Sequence, residues 1–301
     1  MVQAIEEREE LIMTDVIDPR VTKKDTLSRR GFGTLSVATG LTVASTAARA
    51  ATADVVETEV QIKTADGLCD AVFFHPQVKK TSPAVLIWTD ILGLRPEFRD
   101  MGRRLAGEGY AVLVPNPFYR VRKAPVITGA FDFSNPTDRA KLGELTAPNT
   151  PDAVTRDAGS YLAWLDAQPQ VNKKAKVGTV GFCMGGALTM RTAAIRPDRV
   201  GAGCSFHGGN GLVTDKPDSP HLLVPKIKAS YHFGVAQNDD QQAPTVKVKL
   251  KEAFDAAKVP ATVEVYSANH GWMVPGSQVY NKDQAERGWT AMLALYKQAL
   301  V

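Results

Sequence analysis

The hydrophobic and polar positions of this chain change period several times along its length. "VVETEVQI" (55–62) alternates with period two, the pattern of a strand with one wet face. "CDAVFFHP" (69–76) can fold back on it, because the intervening "TADGL" carries an Asp-Gly hairpin signal. "AVLIWTD" (84–90) and "YAVLVPNPF" (110–118) are continuous apolar runs, as expected of strands covered on both faces. "AKVGTVGF" (175–182), "VGAGCSFHGG" (200–209), "KIKASYHFGVA" (226–236) and "ATVEVYSA" (261–268) are also strand-like. Between them the period lengthens. Phe98, Met101 and Leu105 lie on one helical stripe, and helices are predicted over 152–168, 183–195, 245–259 and 282–300.

Strands that alternate with helices of ten or more residues predict an α/β fold, a mostly parallel doubly wound sheet. The first two strands would form an antiparallel hairpin at its edge. Residues 119–151 interrupt the alternation and are rich in Pro, Thr and Asn. An insertion of this kind usually lies over the carboxyl ends of the strands, where α/β sheets bind ligands.

Residues 1–50 have another character. Arg29-Arg30 precede a mildly apolar run rich in Gly, Ala and Thr, uncharged from Gly31 to Ala48, and Ala48-Arg49-Ala50 is an A-x-A cleavage pattern. The segment resembles a bacterial twin-arginine export signal, cut after Ala50. That predicts a single domain over 51–301, delivered folded to the periplasm by the twin-arginine translocase. The run is barely long enough to span a membrane and too rich in Gly, Ser and Thr to suit a stable anchor. The leader holds seven basic and seven acidic residues, so its removal leaves the net charge at +4.

Composition narrows the chemistry. The charge is modest and no basic block is interleaved with aromatics, which argues against nucleic acid as a partner. Three widely spaced cysteines make neither a disulfide framework nor a CxxC site, and five histidines show no ligand spacing. No metal or other cofactor is expected.

One cysteine has a context of its own. In "VGTVGFCMGGALTM", Cys183 falls between a strand and a helix, with Gly181 and Gly185 on either side. A nucleophile on a tight strand-to-helix turn needs such small neighbours. The helix start favours a thiolate, and the Met184 N–H is placed to hold an oxyanion. Taken alone, the GxCxG pattern is a weak signal and fits a buried, inert thiol better than a nucleophile. Chain order adds to it: a strand-end loop offers Asp239 or Asp240, and a later one offers His270. Nucleophile, acid, histidine is the α/β-hydrolase order. His207 also follows a strand, but it precedes the acid and is read as lining the site.

From about Val55 onward the chain resembles the dienelactone hydrolase family, α/β-hydrolases with a cysteine nucleophile. The resemblance is carried by "GFCMGG", "HGW" and "WTDILGLRPEFRDMGRRLAGEGYAVLVPNPF". It implies the α/β-hydrolase fold and a small-molecule ester or lactone substrate. It also implies Cys183 as nucleophile, His270 as base and acid, and Asp239 in preference to Asp240 as the third member. Backbone N–H groups of Ile91 and Met184 would be the oxyanion donors. Asp90 stands where many members have a Glu that poises the thiol. The arginine expected soon after the histidine is missing from "GWMVPGSQVYNK", which leaves Arg120 and Arg122 as candidates for a substrate carboxylate, with Tyr119 and Trp272 as pocket walls. A general carboxylesterase or thioesterase, and a silent binding protein of the same fold, are the competing expectations.

Overall fold

A computed structural model describes residues 54–129 and 131–301; the predicted leader lies outside the described residues. One eight-stranded sheet organises them. The strands are β1 (Val55–Thr64), β2 (Gly67–Pro76), β3 (Ala84–Trp88), β4 (Ala111–Pro115), β5 (Val177–Phe182), β6 (Val200–Phe206), β7 (Ser230–Ala236) and β8 (Ala261–Tyr266). Their spatial order is β1-β2-β4-β3-β5-β6-β7-β8. β1 and β2 form an antiparallel hairpin whose register closes at Thr64 opposite Gly67, and β2 is antiparallel to β4. The pairs from β4 through β8 are all parallel. The predicted architecture is therefore the observed one.

Burial explains why the central strands carry no alternation. Every residue of β3, β4 and β5 is buried. Successive side chains go to opposite faces, and both faces are covered. Leu86 and Trp88 enter one core with Tyr161, Met190 and Phe254. Val85 and Ile87 enter the other with Phe98, Leu105 and Trp289. The first core is roofed by α3 (Pro151–Ala167), α4 (Met184–Ile195) and α6 (Thr245–Ala256), the second by α1 (Pro96–Gly107) and α7 (Lys282–Ala299).

Two helices lie where none was predicted. α2 (Pro136–Thr146) sits in the insertion, and α5 (Gln237–Gln242) follows β7 directly. α2 begins at Asn135, whose side chain accepts from the N–H groups of Thr137 and Asp138, with Pro136 in the first turn. Leu142 and Leu145 join Phe118 and Val126 in a small third core, against which Ile91, Leu92, Phe131 and Met184 pack. The insertion thus covers the ends of β3 and β5, where the candidate chemistry lies.

Candidate active site

The turn after β5 is built around two glycines. A Cβ on Gly181 would stand 2.0 Å from the Gly185 carbonyl oxygen. One on Gly185 would stand 2.4 Å from the carbonyl oxygen of Trp88, at the end of β3. Only hydrogen at both positions lets the backbone turn this tightly against the neighbouring strand. Cys183, between them, has φ 52° and ψ −120°, a conformation that a side chain rarely adopts. It is half-buried, at the head of α4. Its N–H is held by the Phe206 carbonyl at 3.1 Å and by His207 Nδ1 at 3.0 Å.

His270 comes from the loop after β8. Its backbone N–H donates to the Asn238 side-chain oxygen at 2.8 Å, which fixes the loop against α5. Its Nδ1 lies 2.7 Å from Asp239 Oδ2 and 3.0 Å from Oδ1. Asp240, one residue on, takes Lys247 at 2.7 Å instead. Burial opposes charge on the His270 ring, but its contacts with the Asp239 carboxylate and the Cys183 sulfur outweigh burial and raise its pKa to about 10. The backbone N–H groups of Ile91 and Met184 donate no hydrogen bond among the described residues. Their side chains face the same small core. The arrangement offers a thiol at a helix start, an imidazole oriented by a carboxylate, and two unengaged amides.

Residues 69–300 match the model of the dienelactone hydrolase family. The chain belongs to this family. Membership makes it a hydrolase of the ester and lactone class. A Methylorubrum extorquens protein named "Putative carboxymethylenebutenolidase" is 29% identical over 286 residues, covering 91% of this chain and 94% of its own length. An Escherichia coli K12 protein of the same name is 27% identical, covering 75% and 81%. A solved structure from Klebsiella pneumoniae, described as a "Putative Dienelactone Hydrolase", superposes with TM-score 0.71 at 23% identity, covering 81% of this chain and 99% of its own. The structural match carries the fold.

This dienelactone hydrolase family member places the remaining predicted residues as follows. Asp90 puts both carboxylate oxygens on the Arg95 guanidinium, at 2.6 and 2.7 Å, and also accepts from the Leu92 N–H; it makes no hydrogen bond to Cys183. Arg120 joins Asp66 and Asp157 at 2.6 and 2.8 Å and stacks over Tyr119. The Tyr119 hydroxyl lies 2.7 Å from the Thr64 hydroxyl and donates to Asp157 at 2.8 Å. Both side chains tie the β1–β2 turn to α3 and bond to no member of the Cys183–His270 group. Arg122 is exposed on the same loop. Trp272 is fully buried, stacked on Tyr266 and edge-on to His207, so it forms the wall behind the two histidines. Among the described residues no cluster of His, Cys, Asp or Glu is arranged to hold a metal ion.

Two residues have contacts that the pattern along the chain did not assign. Asn238 anchors the His270 loop, and His207 reaches the Cys183 backbone. The first had a signal in its place beside Asp239. The second had one in its place at the end of β6, among glycines.

Proposed function

We propose that this protein hydrolyses an ester or lactone through a thioester on Cys183, in a Cys183–His270–Asp239 triad. The assignment rests on one observation: His270 is held by Asp239 through Nδ1, and its charged form is favoured by both Asp239 and the Cys183 sulfur. The imidazole beside the sulfur is placed to exchange its proton with the attacking thiol and with the leaving group. The N–H groups of Ile91 and Met184 receive the developing oxyanion. The bond to the alkoxide breaks and His270 gives it a proton. His270 then takes a proton from water, whose oxygen attacks the thioester and frees the thiolate. These steps assign nothing to Asp90, whose carboxylate is paired with Arg95.

Labelling with iodoacetamide tests the nucleophile. Cys69 and Cys204 are fully buried, and burial pushes both thiols up, Cys69 to about 12. The native protein should take up one label, on Cys183, and Cys183→Ala should abolish p-nitrophenyl acetate hydrolysis. Activity retained by Cys183→Ala would overturn the triad. A panel of lactones, acyl esters and thioesters separates the lactone hydrolase from the general esterase.

We also propose that residues 1–50 direct twin-arginine export and are removed after Ala50. Support comes from Arg29-Arg30, the uncharged run after them and the Ala48-Arg49-Ala50 pattern. Periplasmic protein should begin at Ala51, and Arg29→Lys with Arg30→Lys should leave the precursor inside. Wild-type chain found in the cytoplasm with Met1 intact sinks the proposal.

A further inference from the structure

His207 stands where the backbone favours glycine. It follows β6 and precedes Gly208-Gly209, and its φ is 41°, in the left-handed region. Among side chains, His, Asn and Asp are the ones most often accepted there. Its own N–H is fixed to the Gly234 carbonyl at 2.8 Å, so the strained residue is tied to β7. The ring is fully buried. It packs beside Phe182, His270 and Trp272, with centroid separations of 6.1, 5.1 and 5.1 Å.

The protonation state follows from these contacts. Burial pushes the ring far below its ordinary range, and the charge on His270 acts in the same direction. Nδ1 accepts the Cys183 N–H at 3.0 Å, so a neutral ring carries its hydrogen on Nε2. Nε2 is buried and has no partner among the described residues. In this state the ring's one lone pair is engaged by the Cys183 N–H. Among the described residues, the ring's single polar contact is with the backbone of the candidate nucleophile.

We propose that His207 is a positioning residue that holds the Cys183 turn in its strained conformation by accepting the nucleophile's own backbone N–H. The role rests on the nucleophile assignment above. A strained φ/ψ persists only where its surroundings over-determine it. At Cys183 one N–H is clamped between the Phe206 carbonyl and His207 Nδ1. Without the second acceptor the N–H is held by the Phe206 carbonyl alone, and the peptide before Cys183 gains freedom to rotate. The sulfur and the adjoining Met184 N–H then leave their places together. The position takes His rather than Gly because glycine would satisfy the backbone but offer no acceptor.

Three variants of the full chain separate the acceptor from the shape of the ring. Asn tolerates positive φ and supplies an acceptor oxygen; Leu fills similar space without one; Gly relieves the backbone without one. His207→Leu and His207→Gly should lower kcat for p-nitrophenyl acetate roughly ten- to hundredfold, the cost of one buried hydrogen bond at the reacting centre. KM should stay within about threefold, since the lost contact aligns the nucleophile rather than the substrate. Iodoacetamide labelling of Cys183 should slow in parallel. His207→Asn should recover kcat to within about threefold of wild type, with both limbs of the pH–kcat profile in place. If Leu fails to fold, as circular dichroism would show, the Gly and Asn pair still carries the comparison. The proposal is overturned if folded His207→Asn is as impaired as Gly, if Gly is fully active, or if Asn removes the acid limb, which would make His207 a titrating base. Activity in Cys183→Ala would remove the nucleophile assignment instead, a separate result.

Discussion

His270 shows how its neighbours decide a residue's charge. Burial alone would lower an imidazole from its ordinary 6.5, yet its contacts with Asp239 and Cys183 raise it to about 10. The stability that these contacts contribute through the charged ring is fully present below about pH 6.5, and it is lost as pH rises through about 10. Asp239→Asn removes that charge partner and the orientation of the ring. It should cut kcat roughly a thousandfold and move the basic limb of the pH–kcat profile downward. Asp240→Asn should stay within about threefold of wild type, because Asp240 meets Lys247 and not the histidine. A pH–rate series on the two purified variants checks both outcomes. The loop residues alone left the two aspartates open, and the resemblance preferred Asp239. In α5 consecutive side chains point about 100° apart, so neighbours in sequence face different partners.

At the scale of elements, α2 is the informative case. Its sequence, "PTDRAKLGELT", offers only Leu142 and Leu145 to a core, so hydrophobic period could not find it. Asn135-Pro136 was the available signal, a cap followed by proline in the first turn. The helix covers Ile91, Leu92 and Met184 through a core far smaller than the two on the faces of the sheet. Leu145→Ala opens a cavity there, and losses of this kind cost about 2–5 kcal/mol. That loss should be local. Amide exchange should accelerate over 136–146, and KM should rise severalfold, while β3–β5 stay protected. Equal loss of protection in α2 and in the central strands would show that the cover is not a separate unit. α1, by contrast, was legible from the Phe98, Met101 and Leu105 stripe, because it lies along one face of the sheet and buries one side.

At the largest scale, the described residues join a sheet covered on both faces to candidate chemistry at one end of its strands. Among the described residues, both cores run from β1 to Leu300. A chain beginning at Ala51 should therefore fold with a melting temperature within about 3 °C of the full chain and a kcat within about twofold, measured by thermal unfolding and p-nitrophenyl acetate hydrolysis. A large loss in either would give the leader a part in the fold. Much of this was determined by the sequence itself. The apolar runs of β3, β4 and β5, the alternation of β1 and the glycines beside Cys183 are local responses to burial and backbone geometry, so they are written locally. Tertiary structure alone decided the rest. It bound Arg120 to Asp66 and Asp157 and Asp90 to Arg95, and it brought His207, twenty-four residues away, onto the Cys183 N–H. The physical reason is that a polar side chain is satisfied by whichever partner the folded chain brings within about 3 Å, and that partner can come from a distant strand.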